Sequence, residues 1–325
     1  MRAVICHELK GPDALTLQEV PSPALKPGHL LIDVKAASLN FPDILITWGK
    51  YQMKPDLPFT PGGEGAGVVT EVGEGVKGFK PGDRVIFMTG YGAFAEQVAV
   101  PAMVCMPVPD TMDYKTAAAL TLTYGTSLHA LRQRANLQPG ETLVVLGAAG
   151  GVGLAAVQLG KAMGARVIAC ASSDEKLAVC KAAGADELIN YSSEDLKARL
   201  KELTGKKGID VAYDPVGGDF SEAVIRCMGA GGRFLVIGFA AGDIPKIPLN
   251  LTLLKQCQIV GVFWGAWTQM DPAGHFKNMK DLFDMCADYR ISPLVDDVFN
   301  LDSFKEAYAC LSERKVKGKV VLEMV

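Results

Sequence analysis

Eight residues, LGAAGGVG at Leu146–Gly153, are small enough to do one kind of chemistry: to bring backbone N–H groups against a phosphate. On the G-x-G-x-x-G template the three marked positions are Ala148, Gly150 and Gly153, so alanine stands in place of the first glycine. Small side chains let Ala149, Gly150, Gly151 and Val152 approach a pyrophosphate closely. A helix starting here would add unpaired N–H groups and the positive end of its dipole. Gly153 would let that helix lie close to the preceding strand. A tight strand–helix turn with no ligand is the alternative reading.

The next strand selects the ligand. Dinucleotide sites for NAD usually end this strand in a carboxylate that holds the ribose 2′-hydroxyl. Here RVIACASSDEK puts Ala171 and Ser172 at that point. Ser172, Ser173 and Lys176 offer hydroxyls and a positive charge to a 2′-phosphate, and Tyr191, after the third strand, would cover the same pocket. The expected cofactor is NADP(H). Two alternatives stay open: Ser173 as a helix N-cap with Lys176 solvated, and a register three residues off that makes Asp174 the missing acid.

These residues need a scaffold, and the chain supplies two patterns. The first ~120 residues are rich in Gly and Pro, with candidate strands HLLIDVKAASL, AGVVTEVG and DRVIFM between turns. That suggests a β-rich barrel or sandwich. From TLVVLG onward, ARVIACAS, ELINY, GIDVAYD, GGRFLVIG and CQIVGVFWG alternate with helical segments, the pattern of a doubly wound parallel sheet. The fold class is therefore α/β. A later helix, HFKNMKDLFDMCADYRI, would bury Phe276, Met279, Leu282, Phe283 and Cys286 on one face.

With 325 residues, 49% hydrophobic and 21% charged, the chain has the length for two domains with ample core. The net charge of −3 favours neither nucleic acid nor an anionic membrane. The first residues show no long apolar run, so no signal peptide or membrane span is expected. Eight scattered cysteines with no Cys-x-x-Cys pair fit reduced thiols in a reducing compartment. That compartment is expected to be the cytoplasm, with the mitochondrial matrix open. His7, His29, His129 and His275 lie far apart, without metal-site spacing.

Seven motifs carry a family resemblance: SLNFPDI (Ser38–Ile44), PGGEGAGVVTEVGEGV (Pro61–Val76), KPGDRV (Lys80–Val85), YGTSLHAL (Tyr124–Leu131), AAGGVG (Ala148–Gly153), DPVGG (Asp214–Gly218) and GKVVL (Gly318–Leu322). With them the chain resembles the zinc-free medium-chain dehydrogenase/reductases of the quinone oxidoreductase (zeta-crystallin-like) group over nearly its whole length. The resemblance implies a GroES-like catalytic domain over 1–122, a Rossmann NADP-binding domain over 123–266 and a return to the catalytic domain over 267–325, with a cleft where they meet. It also implies a homodimer or tetramer joined through the last Rossmann strand, near Gln258–Phe263.

Zinc-dependent relatives place a cysteine near Leu39-Asn40 and a histidine where Gly63 stands. Neither is present here, nor is a four-cysteine lobe after DRVIFM, so no metal is expected and Glu64 reads as structural. Without a Lewis acid an alcohol is hard to oxidise, whereas a quinone or enone accepts hydride readily if hydrogen bonds hold the oxygen. The resemblance implies hydride transfer from NADPH to such an acceptor. An enoyl-CoA or acryloyl-CoA-type reductase, or an NADPH-binding protein with a mainly non-catalytic role, are the alternatives. It assigns Asn40 and Tyr51 to the substrate side, against a capping Asn and a packing Tyr. Thr126 would face the cofactor phosphates. Gly217, Gly238, Phe263 and Gly265 would lie near the nicotinamide. Trp264 and Trp267 would wall an aromatic acceptor or pack in an interface or the core.

Overall fold

The computed structural model describes residues 1–324. The chain divides into two units, 1–122 with 293–325, and 123–292.

In the first unit, β1 (Arg2–Ile5) and β2 (Thr16–Glu19) form a small antiparallel ribbon. The long β3 (His29–Leu39) is followed at once by α1 (Phe41–Thr47). Then come β4 (Glu64–Val72), β5 (Arg84–Met88), β6 (Gln97–Pro101) and β7 (Cys105–Pro107). The helix α2 (Tyr114–His129) leads into the second unit.

There the alternation is regular: β8 (Thr142–Val145), α3 (Gly151–Ala162), β9 (Arg166–Ala171), α4 (Asp174–Ala182), β10 (Glu187–Asn190), α5 (Leu196–Thr204), β11 (Ile209–Asp214), α6 (Asp219–Ile225), β12 (Met228–Val236), α7 (Asn250–Lys255) and β13 (Gln258–Gly261). The helices α8 (Trp264–Met270) and α9 (Pro272–Ala287) close this unit. The chain then returns to the first unit with β14 (Val295–Asn300), α10 (Phe304–Ser312) and β15 (Lys319–Glu323).

The first unit's main sheet runs β14-β15-β3-β4-β5-β7, with β6 also on β3. β15 lies antiparallel to β3, Val320 opposite Leu39 and Leu322 opposite Ala37. Val34, Leu39, Phe87, Phe94, Tyr308, Val320 and Leu322 lie in one core.

The second unit is a six-stranded parallel sheet in the order β10-β9-β8-β11-β12-β13, so the winding reverses between β8 and β11. β8 is buried throughout, as a central parallel strand must be. This is the GroES-like plus Rossmann α/β fold.

Two details differ from the sequence expectation. The second unit ends at 292–293 rather than 266–267. Residues 267–292 stay with it because α9 is bonded to the helical turn Ala130–Arg134 that follows α2: Arg132 reaches Asp281 Oδ2 (2.6 Å), and Gln133 pairs its amide with that of Asn278 (3.1 and 3.2 Å). The buried face of α9 is also rotated, to Asn278, Met279, Leu282 and Met285, leaving Phe276 at 39% exposure. Asn278 can enter that face because Arg132 and Gln133 satisfy its amide.

All eight cysteines carry free thiols, six of them buried. No helix among the described residues is long and apolar enough to cross a membrane.

Candidate functional site

The glycine turn sits at the carboxyl end of β8, at the reversal point where this fold binds ligands. Gly147 has a φ of 55°, and Gly150 N–H donates to Gly147 O at 3.0 Å to close the turn. Leu154 N–H is the first to reach back into α3, to Gly150 O at 2.7 Å. The N–H groups of Gly151, Val152 and Gly153 therefore precede the first intrahelical bond. A Cβ on Gly153 would lie 2.2 Å from Gly147 O, so only glycine fits there. A Cβ on Gly150 would meet nothing nearer than Gly147 O at 3.5 Å; that side is an open cradle. Ala148 is buried and donates its N–H to Cys170 O (3.0 Å), so an alanine is tolerated at this template position.

β9 ends at Ala171 and α4 begins at Asp174, with Ser172 and Ser173 between them. Ser173 is the N-cap, its Oγ accepting from Lys176 N–H at 3.3 Å. Lys176 Nζ donates to Ser172 Oγ at 3.3 Å. Asp174 opens the helix, and its carboxylate accepts from Asn190 Nδ2 at 2.8 Å. The end of β9 is thus occupied by two hydroxyls and an ammonium. Tyr191 N–H bonds Ala171 O (3.1 Å), and its ring lies 4.6 Å from that of Phe220.

The remaining strand ends line up beside these. The buried Asp214 accepts from the N–H groups of Val216 (2.8 Å) and Gly217 (2.9 Å) and from Ser221 Oγ (2.5 Å), which fixes the turn after β11. Gly217 takes a φ of 74°. Gly238 follows β12, its N–H reaching Asp214 O at 3.3 Å. Phe263, 58% exposed, caps α8 after β13, and Gly265 is in its first turn. Thr126 is half-buried on α2.

The two tryptophans resolve to packing. Trp264 presses on Gly125, where a Cβ would lie 2.5 Å from its ring, and Trp267 stacks on His129 at 4.2 Å. Burial pulls the His129 pKa down to about 4, so its ring is neutral at pH 7.

The set fits an anionic dinucleotide: free helix N–H groups, an open cradle at Gly150, and an ammonium with hydroxyls one strand away.

In the first unit Asn40 caps α1 and is buried. Its Nδ2 donates to Ser38 O (3.2 Å) and Glu64 Oε1 (2.7 Å), and its Oδ1 accepts from Lys319 Nζ. Lys319 also donates to Leu39 O (3.2 Å) and Glu64 Oε1 (3.3 Å). Glu64 Oε2 accepts from Leu122 N–H at 2.7 Å. An ammonium, a carboxylate and an amide thus satisfy one another beside positions 39, 40 and 63. A Cβ at Gly63 would be 3.7 Å from Asp43 Oδ1.

Asp43 is buried, and Asn40 N–H donates to its Oδ2 at 2.7 Å. Burial pushes its pKa up to about 7, against the N–H groups of Asn40 and Gly63 and the charge of Lys319; Glu64 pushes the same way as burial. Burial pulls the Lys319 pKa down, with Glu64 opposing. Tyr51 is half-buried against this core; burial first, then the charge of Asp43, raise its pKa, so the phenol keeps its proton at neutral pH. Both amide hydrogens of Asn40 are taken within the cluster, by Ser38 O and Glu64 Oε1.

Among the described residues no three His, Cys, Asp or Glu side chains converge as a metal site. Sequence reasoning does not single out Lys319, Asp43 or Asp214. The motifs GKVVL, SLNFPDI and DPVGG contain them, and the signal that could have found Lys319 is the need of a buried Glu64 for a cation.

Comparison with known proteins agrees with this architecture. The family description "Zinc-binding dehydrogenase" matches residues 151–283, and "Alcohol dehydrogenase GroES-like domain" matches 26–110. Rat "Quinone oxidoreductase-like protein 2" is 40% identical over 324 residues, covering 99% of this chain and 92% of the relative. The Escherichia coli quinone oxidoreductase solved in complex with NADPH superposes with a TM-score of 0.92 at 30% identity, covering 99% of this chain and 100% of that one. A structure described as an NAD-dependent alcohol dehydrogenase superposes at 0.91 with 31% identity and full coverage of both chains (100%). The chain belongs to the medium-chain dehydrogenase/reductase family, among its quinone oxidoreductase-like members.

Proposed function

We propose that the protein is an NADPH-dependent reductase of conjugated carbonyl acceptors, a quinone or an α,β-unsaturated carbonyl. The observation that carries this is the Lys176–Ser172 contact at the end of β9, one strand from the glycine turn. It offers an ammonium and hydroxyls to a 2′-phosphate where an NAD site offers a carboxylate. Asp174, the acid that a shifted register would bring into that place, opens α4 and is held by Asn190.

When bound, NADPH supplies a hydride. The turn N–H groups of 151–153 would hold its pyrophosphate, and the strand-end segments at Gly217, Gly238, Phe263 and Gly265 would orient the nicotinamide. Tyr51, a phenol protonated at neutral pH, would donate a hydrogen bond to the oxygen of a conjugated acceptor. Asn40, Glu64 and Lys319 hold the local backbone. An acceptor whose charge is delocalised onto oxygen needs only such a donor.

Assembly is proposed through β13. Its Ile259 is 40% exposed on an unpaired sheet edge, and Leu249, Leu253 and Leu254 are 76%, 74% and 67% exposed around α7. An apolar edge of this kind fits a second copy of the chain.

The test is NADPH and NADH oxidation against quinones, enones, an enoyl thioester and, in reverse, aliphatic alcohols. Quinone or enone turnover with NADPH preferred is expected, and Lys176→Ala should raise the KM for NADPH about tenfold while leaving that for NADH within about twofold. NADPH binding without turnover of any acceptor would make the non-catalytic role the better reading. Efficient alcohol oxidation would overturn the acceptor class.

A further inference from the structure

The first turn of α3 is anchored from behind by two hydroxyls that the proposed cofactor site does not itself use. Ser127, buried on α2, bonds Val152 O at 3.0 Å and lies 2.8 Å from Tyr213 Oη. A carbonyl only accepts, so the single hydrogen of Ser127 is committed to Val152 O. Tyr213 must then be the donor to Ser127 Oγ. The direction of the chain is fixed: Tyr213 O–H to Ser127 O–H to the carbonyl of Val152.

Both side chains are fully buried, and burial holds the Tyr213 phenol in its protonated form, able to donate. Tyr213 also accepts Leu146 N–H at its backbone oxygen (3.0 Å), and the next residue, Asp214, fixes the turn that carries Gly217. The relay therefore ties the end of β11 to the peptide unit between Val152 and Gly153. That unit carries the Gly153 N–H, the last of the three that precede the intrahelical bonds. A hydrogen bond received at the carbonyl polarises the whole amide and strengthens its N–H as a donor. It also resists rotation of that peptide away from the cradle.

We propose that Ser127 and Tyr213 are positioning residues for a bound pyrophosphate, aiming and polarising the Gly153 N–H without touching the ligand. This rests on the NADPH reading above. The effect must fall on ligands that carry a pyrophosphate and spare those that do not. Calorimetric titration with NADPH and with 2′-AMP, which has the 2′-phosphate alone, separates the two.

Wild-type protein that fails to bind NADPH sinks the cofactor reading and the pair's role with it. Given wild-type binding of both, Ser127→Ala is expected to weaken NADPH about tenfold and 2′-AMP by less than about twofold. Tyr213→Phe removes only the outer hydroxyl and is expected to weaken NADPH about threefold, again sparing 2′-AMP. Because Tyr213 acts through Ser127, the double variant should bind NADPH no more weakly than Ser127→Ala alone. Unchanged NADPH affinity, equal losses for both probes, or additive losses in the double variant would each overturn the proposal. Should Ser127→Ala not fold, the Tyr213→Phe titrations decide by the same criterion.

Discussion

The glycine turn and the Lys319 cluster are built from different materials. At the glycine turn the groups that matter are backbone: Gly147, Gly150 and Gly153 shape the chain, and helix geometry leaves the N–H groups of 151–153 free. In the first unit the groups are side chains from distant places in the sequence. Glu64 and Lys319 are 255 residues apart, and each needs the other in order to be buried. A backbone site tolerates almost no change of residue size but contains no charge to strand. A side-chain site is the reverse: it withstands reshaping and fails when a charge is left alone.

The sharpest way to break this contrast is Lys319→Met. It leaves Glu64, fully buried, with no ammonium, and removes a donor from Asn40 Oδ1 and Leu39 O. A loss of about 3–5 kcal/mol in urea unfolding is expected, because one partner of a buried ion pair has gone. Adding Glu64→Gln should return much of it, since the neutral amide it introduces would still accept Leu122 N–H through its carbonyl oxygen. A cost below about 1 kcal/mol for the single variant would show that the cluster is not held by its charges.

The same contrast separates two alanines in the turn. Gly153→Ala places a Cβ against backbone atoms, Gly147 O at 2.2 Å and Ala148 Cα at 2.8 Å, neither of which can swing away. It should cost about 1–3 kcal/mol of stability, read by thermal or urea unfolding. Gly150→Ala meets nothing nearer than 3.5 Å and should leave stability within about 0.5 kcal/mol, while weakening NADPH by filling the cradle. If both variants behaved alike, the division between a packing glycine and a cradle glycine would be wrong.

This difference also decides what the sequence reveals. The glycine turn, the strand-end serines and the six alternating strands are local patterns, readable because period and turn chemistry act over a few residues. β3 appears in the structure over the span HLLIDVKAASL for the same reason. The Lys319 cluster and the Tyr213–Ser127 relay join residues far apart in the chain, whose proximity depends on how the elements pair and pack. Only the pairing of Val320 with Leu39 puts Lys319 under Asn40. The buried face of α9 departs from its apolar periodicity because Asn278 looks polar until Arg132 and Gln133 are known to satisfy it. The domain boundary moves for a related reason: α8 and α9 belong with α2 through contacts that carry no local signature. Asn40 stands out in the sequence, but its part in the cluster is not legible without its partners.

Asp43 tests the cluster's electrostatics without dismantling it, through a slope against pH rather than an outright loss. Its folded pKa is raised to about 7, while an unfolded aspartate titrates at about 3.9. Between those values the folded protein binds the extra proton, so stability contributed by this group is present at low pH and falls as pH rises towards 7. Asp43→Asn removes that titration. The amide oxygen can still accept Asn40 N–H, although its NH2 faces Gly63 N–H less well than a carboxylate does, so a uniform offset in stability is expected. What should change is the slope. Between about pH 5 and pH 8 the wild type should lose on the order of 2 kcal/mol more than the variant, measured as the difference between their urea unfolding free energies at each pH. Parallel pH profiles would mean that the N–H groups of Asn40 and Gly63 and the charge of Lys319 already hold Asp43 ionised. The first unit would then contain two buried carboxylates on one ammonium, making Lys319 still more costly to remove.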